Sequence, residues 1–310
     1  MALVLQVVVT GLAAGATYGL VAIGYGLIYR LTGVVHFALG ELVGLSVFAT
    51  LFFAAGTGLV TRTNLGAGRF LISLTAGVGT AVVTGTAVYL AAVRPFLRRT
   101  SVAGWIGATV GVAFAVRGFL AATFIRQSYV LPDPLHFERL GRDGVLELGG
   151  GVTVQIRTFF VIAVGILLAA GAAWILGRTD TGRGLQAIAS DTTGARTVGL
   201  PVDRLLAFAF ALAGGLAAVS AVAGLAGGPV TVDTGSLLGL KGLVAALLAG
   251  FGSPWKAFAA GLTLGVVETG VASFHLGGVM LGPAYRDVLP LAIAILALAF
   301  RRLGGPAPDE

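Results

Sequence analysis

The sequence contains no cysteine and is poor in charge. Because none of its 310 residues is a cysteine, disulfides, thiol nucleophiles and thiolate metal sites are excluded. Only 11% of the residues are charged, against about a quarter in a soluble domain, whereas 57% are hydrophobic. This balance predicts an integral membrane protein. The net charge of +7 does not indicate nucleic-acid binding, because the basic residues lie between apolar runs and not on one soluble face.

Catalytic and nucleotide-binding motifs are also missing. The segment that comes nearest to a phosphate-binding loop, Gly239-Leu-Lys-Gly242, is too short and has no hydroxyl residue after the lysine. The sequence has no Ser/His/Asp set, no HExxH motif and no dense group of carboxylates, and its three histidines are too scattered to predict a metal site. We therefore expect no enzyme activity, no metal and no cofactor in this chain.

Long apolar runs occupy most of the sequence. A bilayer core of about 30 Å needs roughly 20 apolar residues per helix. Such runs lie near residues 3–28, 33–55, 69–93, 101–125, 157–177, 204–226, 236–251, 254–275 and 285–300. They predict an all-α polytopic bundle of about 8–9 transmembrane segments, forming one domain over residues 1–303 with a short tail at 304–310. The first run has no basic leader and is expected to be a retained span.

Two of these runs are interrupted. Residues 33–40 break the second run just before Glu41, and the run at 236–251 contains Lys241 and ends in a glycine- and proline-containing turn. These interruptions predict broken or re-entrant helices, and the run at 236–251 is either a full crossing or a re-entrant segment. Residues 40–45 and 235–240 match at four of six positions and are predicted to run in opposite directions. The match indicates either an inverted repeat or a coincidence in a chain rich in glycine and leucine.

Small residues recur at four-residue spacing inside several runs. Examples among the 49 glycines are Gly11 with Gly15, Gly107 with Gly111, and Gly261 with Gly265. This spacing lets helix backbones approach closely in a membrane. It predicts packing within the chain or against a second permease subunit, and the spacing does not distinguish the two.

A polar loop at residues 178–204 interrupts the apolar sequence and sets the expected orientation. If this loop is cytoplasmic and the segments alternate, the basic residues on the cytoplasmic side outnumber those outside, as the positive-inside rule requires. The residues placed on that side are Arg30, Arg94, Arg98, Arg99, Arg178, Arg183, Arg196, Arg204, Lys256, Arg301 and Arg302. The N-terminus is then outside, the C-terminus is cytoplasmic, and residues 126–157 form an external loop. Two alternating stretches in that loop allow a small hairpin, but a plain loop is favoured.

The polar loop also predicts local structure. Residues 183–189 favour one short helix, and Asp191 suits the N-cap position of a second. Together these helices would place Leu185, Ile188, Ala189, Ala195 and Val198 on one side. Such a unit is either a docking surface for a soluble partner or an amphipathic loop on the membrane surface, and docking is favoured.

Charged residues inside the predicted spans are candidates for a translocation path. Glu41, Lys241 and Glu268 fall within apolar runs, where each uncompensated charge costs about 2.5–3.5 kcal/mol. They form either a polar lining near a translocation route or a structural ion pair, and the pairing among them is open. Arg117 is expected to snorkel or to bind a helix end. His36, at the first interruption, is more readily a hydrogen-bonded structural residue than a ligand. The tentative path residues are His36, Gly40, Glu41, Lys241 and Glu268.

Several ordered motifs resemble one family. The block from Gly24-Tyr-Gly-Leu-Ile-Tyr-Arg to Leu-Gly-Glu41 is similar to the first motif of the branched-chain amino acid permeases of ABC importers, the LivH and LivM type. The polar loop is similar to their cytoplasmic coupling loop. Shorter matches run in order along the chain at Arg94-Pro95, Gly239-Leu-Lys-Gly242, Gly265-Val-Val-Glu268 and Tyr285-Arg-Asp287. Arg30, His36 and Leu39 depart from the family pattern and lie close to the expected translocation route. These departures affect which solute is expected to be transported, but they do not change the class of protein that the resemblance implies.

The resemblance implies a function and a set of partners. It implies the transmembrane permease subunit of an importer for branched-chain amino acids or related small polar solutes, in a prokaryotic cell membrane. The implied partners are a second identical or homologous permease, two ATP-binding subunits that hold ATP and Mg, and an extracytoplasmic solute-binding protein. The implied coupling residues are Arg183, Leu185, Ala187, Ile188, Ser190, Asp191, Ala195, Val198 and Gly199. The alternative is an ion-coupled secondary transporter, in which the embedded charges bind the coupling ion.

Overall fold

The computed structural model describes residues 2–55, 67–97, 102–133, 144–147 and 153–273, together with 275–276, 279–280 and 292. The expected span at 285–300, apart from residue 292, the tail at 304–310 and parts of the external loop lie outside these residues. The α-helices are α1 Ala2–Thr32, α2 Leu39–Ala55, α3 Ala67–Val88, α4 Arg94–Leu97, α5 Val102–Thr123, α6 Ile156–Arg178, α7 Asp180–Ser190, α8 Thr192–Thr197, α9 Val202–Leu225, α10 Thr234–Leu248 and α11 Pro254–Ser273. The strands are β1 Tyr129–Val130, β2 Val145–Glu147, β3 Thr153–Gln155, β4 Pro229–Val230, β5 His275–Leu276 and β6 Val279–Met280.

The predicted polytopic helical bundle is confirmed. Within the described residues, five helical segments are long and apolar enough to cross a membrane, namely Val4–Thr32, Gly68–Phe96, Ala103–Thr123, Ile156–Arg178 and Val202–Leu225. The apolar helices α2 and α10 are shorter, with 17 and 15 residues. Large apolar side chains on the outer helices are open, such as Phe114 at 71% and Leu167 at 72% exposure. In a bilayer these surfaces face acyl chains, so their exposure carries no penalty.

Helices α1 and α9 form the centre of the bundle. The apolar window of α1 is 67% buried and that of α9 is 61% buried, against 11% for α5 and 22% for α6. Helix α1 packs against α6, α9, α10 and α11, while α9 also contacts α2 and α3. Helices α1 and α9 therefore form most of the core, and the outer helices surround them.

Glycines allow the closest helix contacts. A Cβ atom on Gly15 would lie 2.6 Å from the Gly261 carbonyl oxygen, and one on Gly11 would lie 2.6 Å from Val266 Cα. Because real Cβ contacts do not reach such distances, α1 and α11 touch backbone to backbone. The packing predicted for two of the small-residue pairs is thus within this chain. In contrast, a Cβ on Gly107 or Gly111 of α5 would meet nothing within 4 Å.

Two similar breaks interrupt the bundle. Helix α1 ends before Gly33, which has a φ of 71°, and α9 ends before Gly227, which also has a φ of 71°. Glycine adopts this left-handed conformation without the steric cost that a side chain brings. A short apolar helix follows each break, α2 in the first case and α10 in the second. The broken helices expected from the sequence are therefore present.

The helix contacts follow the pattern that an inverted repeat requires. Helix α1 packs on α11 as α9 packs on α3, and α1 packs on α10 as α9 packs on α2. If α1 is exchanged with α9, α2 with α10 and α3 with α11, the α1–α11 contact becomes the α9–α3 contact, and the α1–α10 contact becomes the α9–α2 contact. The two matching hexapeptides meet in antiparallel fashion, since Gly40 approaches Gly239 and Gly44 approaches Gly235. The observed packing favours a repeat over coincidence.

Short strand pairs cover the end of the bundle opposite the polar loop. Strand β1 pairs with β4 just before α10, and β2 pairs with β3 just before α6, both antiparallel. The second pair is the hairpin that the alternating residues allowed, so the preference for a plain loop was wrong at these residues. Val154 in β3 is 2% exposed, which gives the hairpin an apolar anchor that a loop would not need.

Candidate coupling surface and buried polar groups

Helices α7 and α8 form a compact unit between α6 and α9. Thr179 caps α7, where its hydroxyl accepts a hydrogen bond from the Gly182 amide at 3.1 Å. Asp191 caps α8 by accepting from the Thr193 amide at 2.9 Å. These caps satisfy amide groups that a helix start leaves unpaired. The prediction that Asp191 is an N-cap is confirmed.

The unit is fixed to the membrane helices by its buried face. Leu185, Ile188 and Ala195 are 2%, 1% and 4% exposed and pack into a cluster with residues of α1, α3 and α9. The Gln186 side-chain amide also donates to the Leu176 carbonyl at 2.6 Å, which ties α7 to the last turns of α6. A shift of α7 would therefore displace the ends of α6 and α9 with it.

The opposite face of the unit is open. Arg183, Ala187, Ser190, Asp191, Val198 and Gly199 are exposed, and Val198 is 77% exposed. Three of the nine residues that the resemblance implied for coupling, Leu185, Ile188 and Ala195, are thus buried against other residues of this chain. The sequence placed Val198 on the same apolar side as Leu185, Ile188 and Ala195. In the structure these three residues are buried, whereas Val198 is exposed.

A polar network joins the polar loop to the third helical segment. Asp203, in the first turn of α9, accepts hydrogen bonds from Arg94 Nη2 at 2.7 Å and Nε at 3.1 Å. Its other oxygen accepts from the Tyr89 hydroxyl at 3.1 Å. Tyr89 begins a π-helical turn, Tyr89–Val93, that leads into Arg94 and Pro95. The wider turn accommodates a proline, which has no amide hydrogen for the helix ladder.

Sequence reasoning missed this network. Arg94 was used in the charge count for the orientation and in the family resemblance but was given no partner, and Asp203 was treated as part of the polar loop. The two residues are 109 positions apart, so no local pattern reports their pairing. A carboxylate in the first turn of an apolar helix was the one available signal.

Lys241 and Glu268 form an ion pair inside the bundle. Lys241 Nζ lies 2.9 Å from Glu268 Oε1 and 3.3 Å from the Tyr18 hydroxyl, which joins α10, α11 and α1. Glu268 is 1% exposed, and the side chain of Lys241 is 16% exposed. This resolves the pairing that the sequence left open, because Glu41 instead accepts a hydrogen bond from Ser236.

Glu41 and Ser236 occupy equivalent positions in the two matching hexapeptides. Their contact lies beside the Gly40 and Gly239 crossing, where α2 and α10 meet. A contact between equivalent residues of two inverted halves lies on the axis that relates them. Of the tentative path residues, Gly40 and Glu41 therefore belong to this crossing, whereas Lys241 and Glu268 belong to the ion pair.

His36 and Arg117 have separate surroundings. His36 is 1% exposed and lies against the Phe210 ring, with 5.2 Å between the ring centroids. Neither of its nitrogens has a hydrogen-bond partner in the described part of the chain, so the hydrogen-bonded role expected for it is absent there. Arg117 pairs with the side-chain carboxylate of Asp233, the residue that precedes α10, and this ion pair is neither the snorkelling nor the helix-end contact expected from the sequence.

The described residues contain no group of three or more histidine, aspartate or glutamate side chains that would hold a metal ion. The fold and these sites define a multi-pass helical membrane protein with a buried ion pair and a polar helical unit at one end.

Comparison with known proteins places the chain within this class. The sequence profile of a family described as the permease component of branched-chain amino acid transport systems matches residues 7–298, and the chain belongs to this family. It is therefore a transport permease component and not an enzyme.

Curated relatives match over nearly the full length. The high-affinity branched-chain amino acid permease protein BraD of Pseudomonas aeruginosa is 29% identical, covering 97% of this chain and 94% of that protein. The corresponding protein LivH of Escherichia coli K12 is 29% identical, covering 95% and 92%. A solved structure, PsaBC from Streptococcus pneumoniae in complex with a Fab, is similar at a TM-score of 0.46 and 16% identity, covering 96% and 94%.

Proposed function

We propose that this chain is the membrane-spanning permease subunit of an ABC importer and that α7 and α8 couple it to an ATP-binding subunit. The observation that carries the proposal is the division of this unit into two faces. Its buried face packs against α1, α6 and α9, and its other face is open. A partner that moves the open face would move those helices as rigid levers.

The proposed docking surface consists of the open residues. It comprises Arg183, Ala187, Ser190, Asp191, Val198 and Gly199. Leu185, Ile188 and Ala195 transmit the movement from within the bundle and make no contact with the partner. Gly199 has a φ of 82°, so its backbone turns sharply where the chain leaves α8 for α9.

The proposed orientation places this unit in the cytoplasm. Arg30 lines one groove with residues of α6 and α7, while Arg94, Arg196 and Arg204 line another at the same end of the bundle. The positive-inside rule therefore supports a cytoplasmic location for this end, with the N-terminus of α1 outside.

The proposed assembly contains four kinds of component. They are this chain, a second permease that is identical or homologous, two ATP-binding subunits that supply ATP and Mg, and an extracytoplasmic solute-binding protein. The proposed solutes are branched-chain amino acids or related small polar molecules, which the names of BraD and LivH support.

Reconstitution tests the proposal. The chain is placed in proteoliposomes with its ATP-binding subunits, its second permease and its binding protein, and uptake of radiolabelled leucine is followed with and without ATP. We expect uptake to require ATP and all components. Uptake by this chain alone, driven by a proton or sodium gradient, would indicate a secondary transporter and overturn the proposal.

A further inference from the structure

A basic cleft lies where the π-helical turn Tyr89–Val93 and α4 meet α8 and α9. Three arginines line it, Arg94, Arg196 and Arg204. Leu90, Leu200 and Ala207 form an apolar part of its wall. The cleft has an open volume of about 730 Å³, which is large enough for a polar headgroup.

The charges in the cleft are not balanced by this chain's described residues. Arg94 is held by Asp203, the one carboxylate that lines the cleft in the described part of the chain. Arg196 and Arg204 donate no side-chain hydrogen bond to any described residue, and both are exposed. Two guanidinium groups therefore remain for an external anion. Arginine suits phosphate because its planar group donates two parallel hydrogen bonds.

The position of the cleft indicates a lipid. The membrane segment Gly68–Phe96 ends beside it and the segment Val202–Leu225 begins beside it, so the cleft lies at the boundary of the apolar belt. Lipid phosphates occupy this level of a bilayer. Leu90, in the π-helical turn after α3, is 46% exposed and extends the apolar wall of the cleft towards the acyl chains.

We propose that this cleft binds the phosphate of an anionic membrane phospholipid. Arg196 and Arg204 donate to the phosphate oxygens, and Leu90 and Ala207 contact the apolar portion near the glycerol. An acidic side chain of a partner protein would satisfy the arginines but would leave the apolar, membrane-facing wall unused. The proposal needs the membrane location of the fold and does not depend on coupling to an ATP-binding subunit.

Lipid retention by the purified full chain tests the proposal. The chain is prepared in detergent with dioleoylphosphatidylglycerol or dioleoylphosphatidylcholine at equal concentration, and bound lipid is counted by native mass spectrometry. We expect preferential retention of phosphatidylglycerol. The double variant Arg196→Gln/Arg204→Gln should reduce it by at least about five-fold, because each basic residue near a membrane surface contributes to anionic-lipid binding.

The matched control removes two positive charges from the same end of the bundle. Arg178 and Lys256 are exposed and do not line the cleft, so Arg178→Gln/Lys256→Gln should retain the lipid as the parent does. Equal losses in the two double variants would show a diffuse charge effect and overturn the proposal. Thermal unfolding of each variant identifies any loss caused by misfolding, and Arg196→Lys/Arg204→Lys then tests charge in a folded chain.

Two further measurements test whether the cleft binds free phosphate or a partner protein instead of a lipid. If inorganic phosphate at 10 mM binds the lipid-free chain and added phosphatidylglycerol does not displace it, the cleft recognises free phosphate and the lipid proposal is wrong. It is also wrong if the arginine double variant keeps its lipid but no longer binds the ATP-binding subunit, since the cleft would then be a protein contact.

Discussion

Lys241 Nζ lies 2.9 Å from Glu268 Oε1, and the pair ties α10 to α11 beside the central helix α1. Removal of one partner from a buried pair leaves an uncompensated charge, which costs about 3–5 kcal/mol, whereas replacement of both by apolar groups is often neutral. We expect Lys241→Met to lower the thermal unfolding temperature strongly and Lys241→Met/Glu268→Leu to recover most of the loss. Fluorescence-detected size-exclusion chromatography after heating measures both.

The Lys241→Met/Glu268→Leu variant also distinguishes two roles for these residues, a structural ion pair and a polar lining of the solute route. If the pair only holds helices together, the stable double variant should transport as the parent does. A stable double variant without transport would instead assign the charges to the solute route. Single variants as stable as the parent would contradict the structural role altogether.

The glycine contacts between α1 and α11 predict a sharp dependence on position. Gly15→Ala places a methyl group 2.6 Å from the Gly261 carbonyl oxygen, so the helices must separate, at a cost of about 1–3 kcal/mol. Gly79→Ala is the control, because a Cβ there meets nothing within 4 Å. We expect it to be neutral or to stabilise α3 by about 0.5–1 kcal/mol. Equal unfolding temperatures for the two variants would refute the close contact.

Ala187 and Ile188 are neighbours with opposite surroundings, which separates docking from folding. Ala187 is exposed on α7, whereas Ile188 is 1% exposed and packs in the core. We expect Ala187→Glu to leave the unfolding temperature unchanged but to uncouple ATP hydrolysis from uptake. Ile188→Glu should lower the amount of folded protein, since it buries a charge. Normal ATP-driven uptake by a correctly folded Ala187→Glu variant would argue against docking at this face.

The Arg94 and Asp203 pair predicts a measurable interaction energy. Both side chains are about one third exposed, so the stability at stake is modest, but the two hydrogen bonds make the geometry favourable. A double-mutant cycle with Arg94→Ala and Asp203→Ala should give a coupling of about 0.5–1.5 kcal/mol that falls at high salt. A coupling that is zero within error, or one that grows with salt, would exclude the pair.

Local structure was predictable where local chemistry determines it. The apolar runs predicted the membrane helices, and the hydroxyl and carboxylate preferences of helix starts predicted Asp191 as a cap. The glycine at Gly33 and the composition around it predicted the first break. The hairpin before α6 was underestimated, because strands of three residues carry too little alternation to outweigh a glycine-rich loop.

Features that depend on tertiary contact were not predictable. An amphipathic helix shows which side is apolar, but it does not show whether that side meets its own chain or a partner, so the buried state of Leu185 and Ile188 needed the structure. The sequence likewise offered two partners for Lys241, Glu41 and Glu268, and left Asp203 without one. The spacing of Gly107 and Gly111 is the same as that of Gly11 and Gly15, yet only the second pair meets another helix of the described chain.

The crossing of α2 and α10 limits how this protein can vary. A Cβ on Gly239 would collide with Gly40, and one on Gly44 would lie 3.2 Å from Gly235 Cα, so each side of the contact is already the smallest residue available. If a residue on one helix is enlarged, no smaller residue can be substituted on the other helix to make room for it. A compensating substitution at the crossing therefore cannot restore the packing. Suppressors of a substitution such as Gly239→Ala should arise at distant positions that let a whole helix shift.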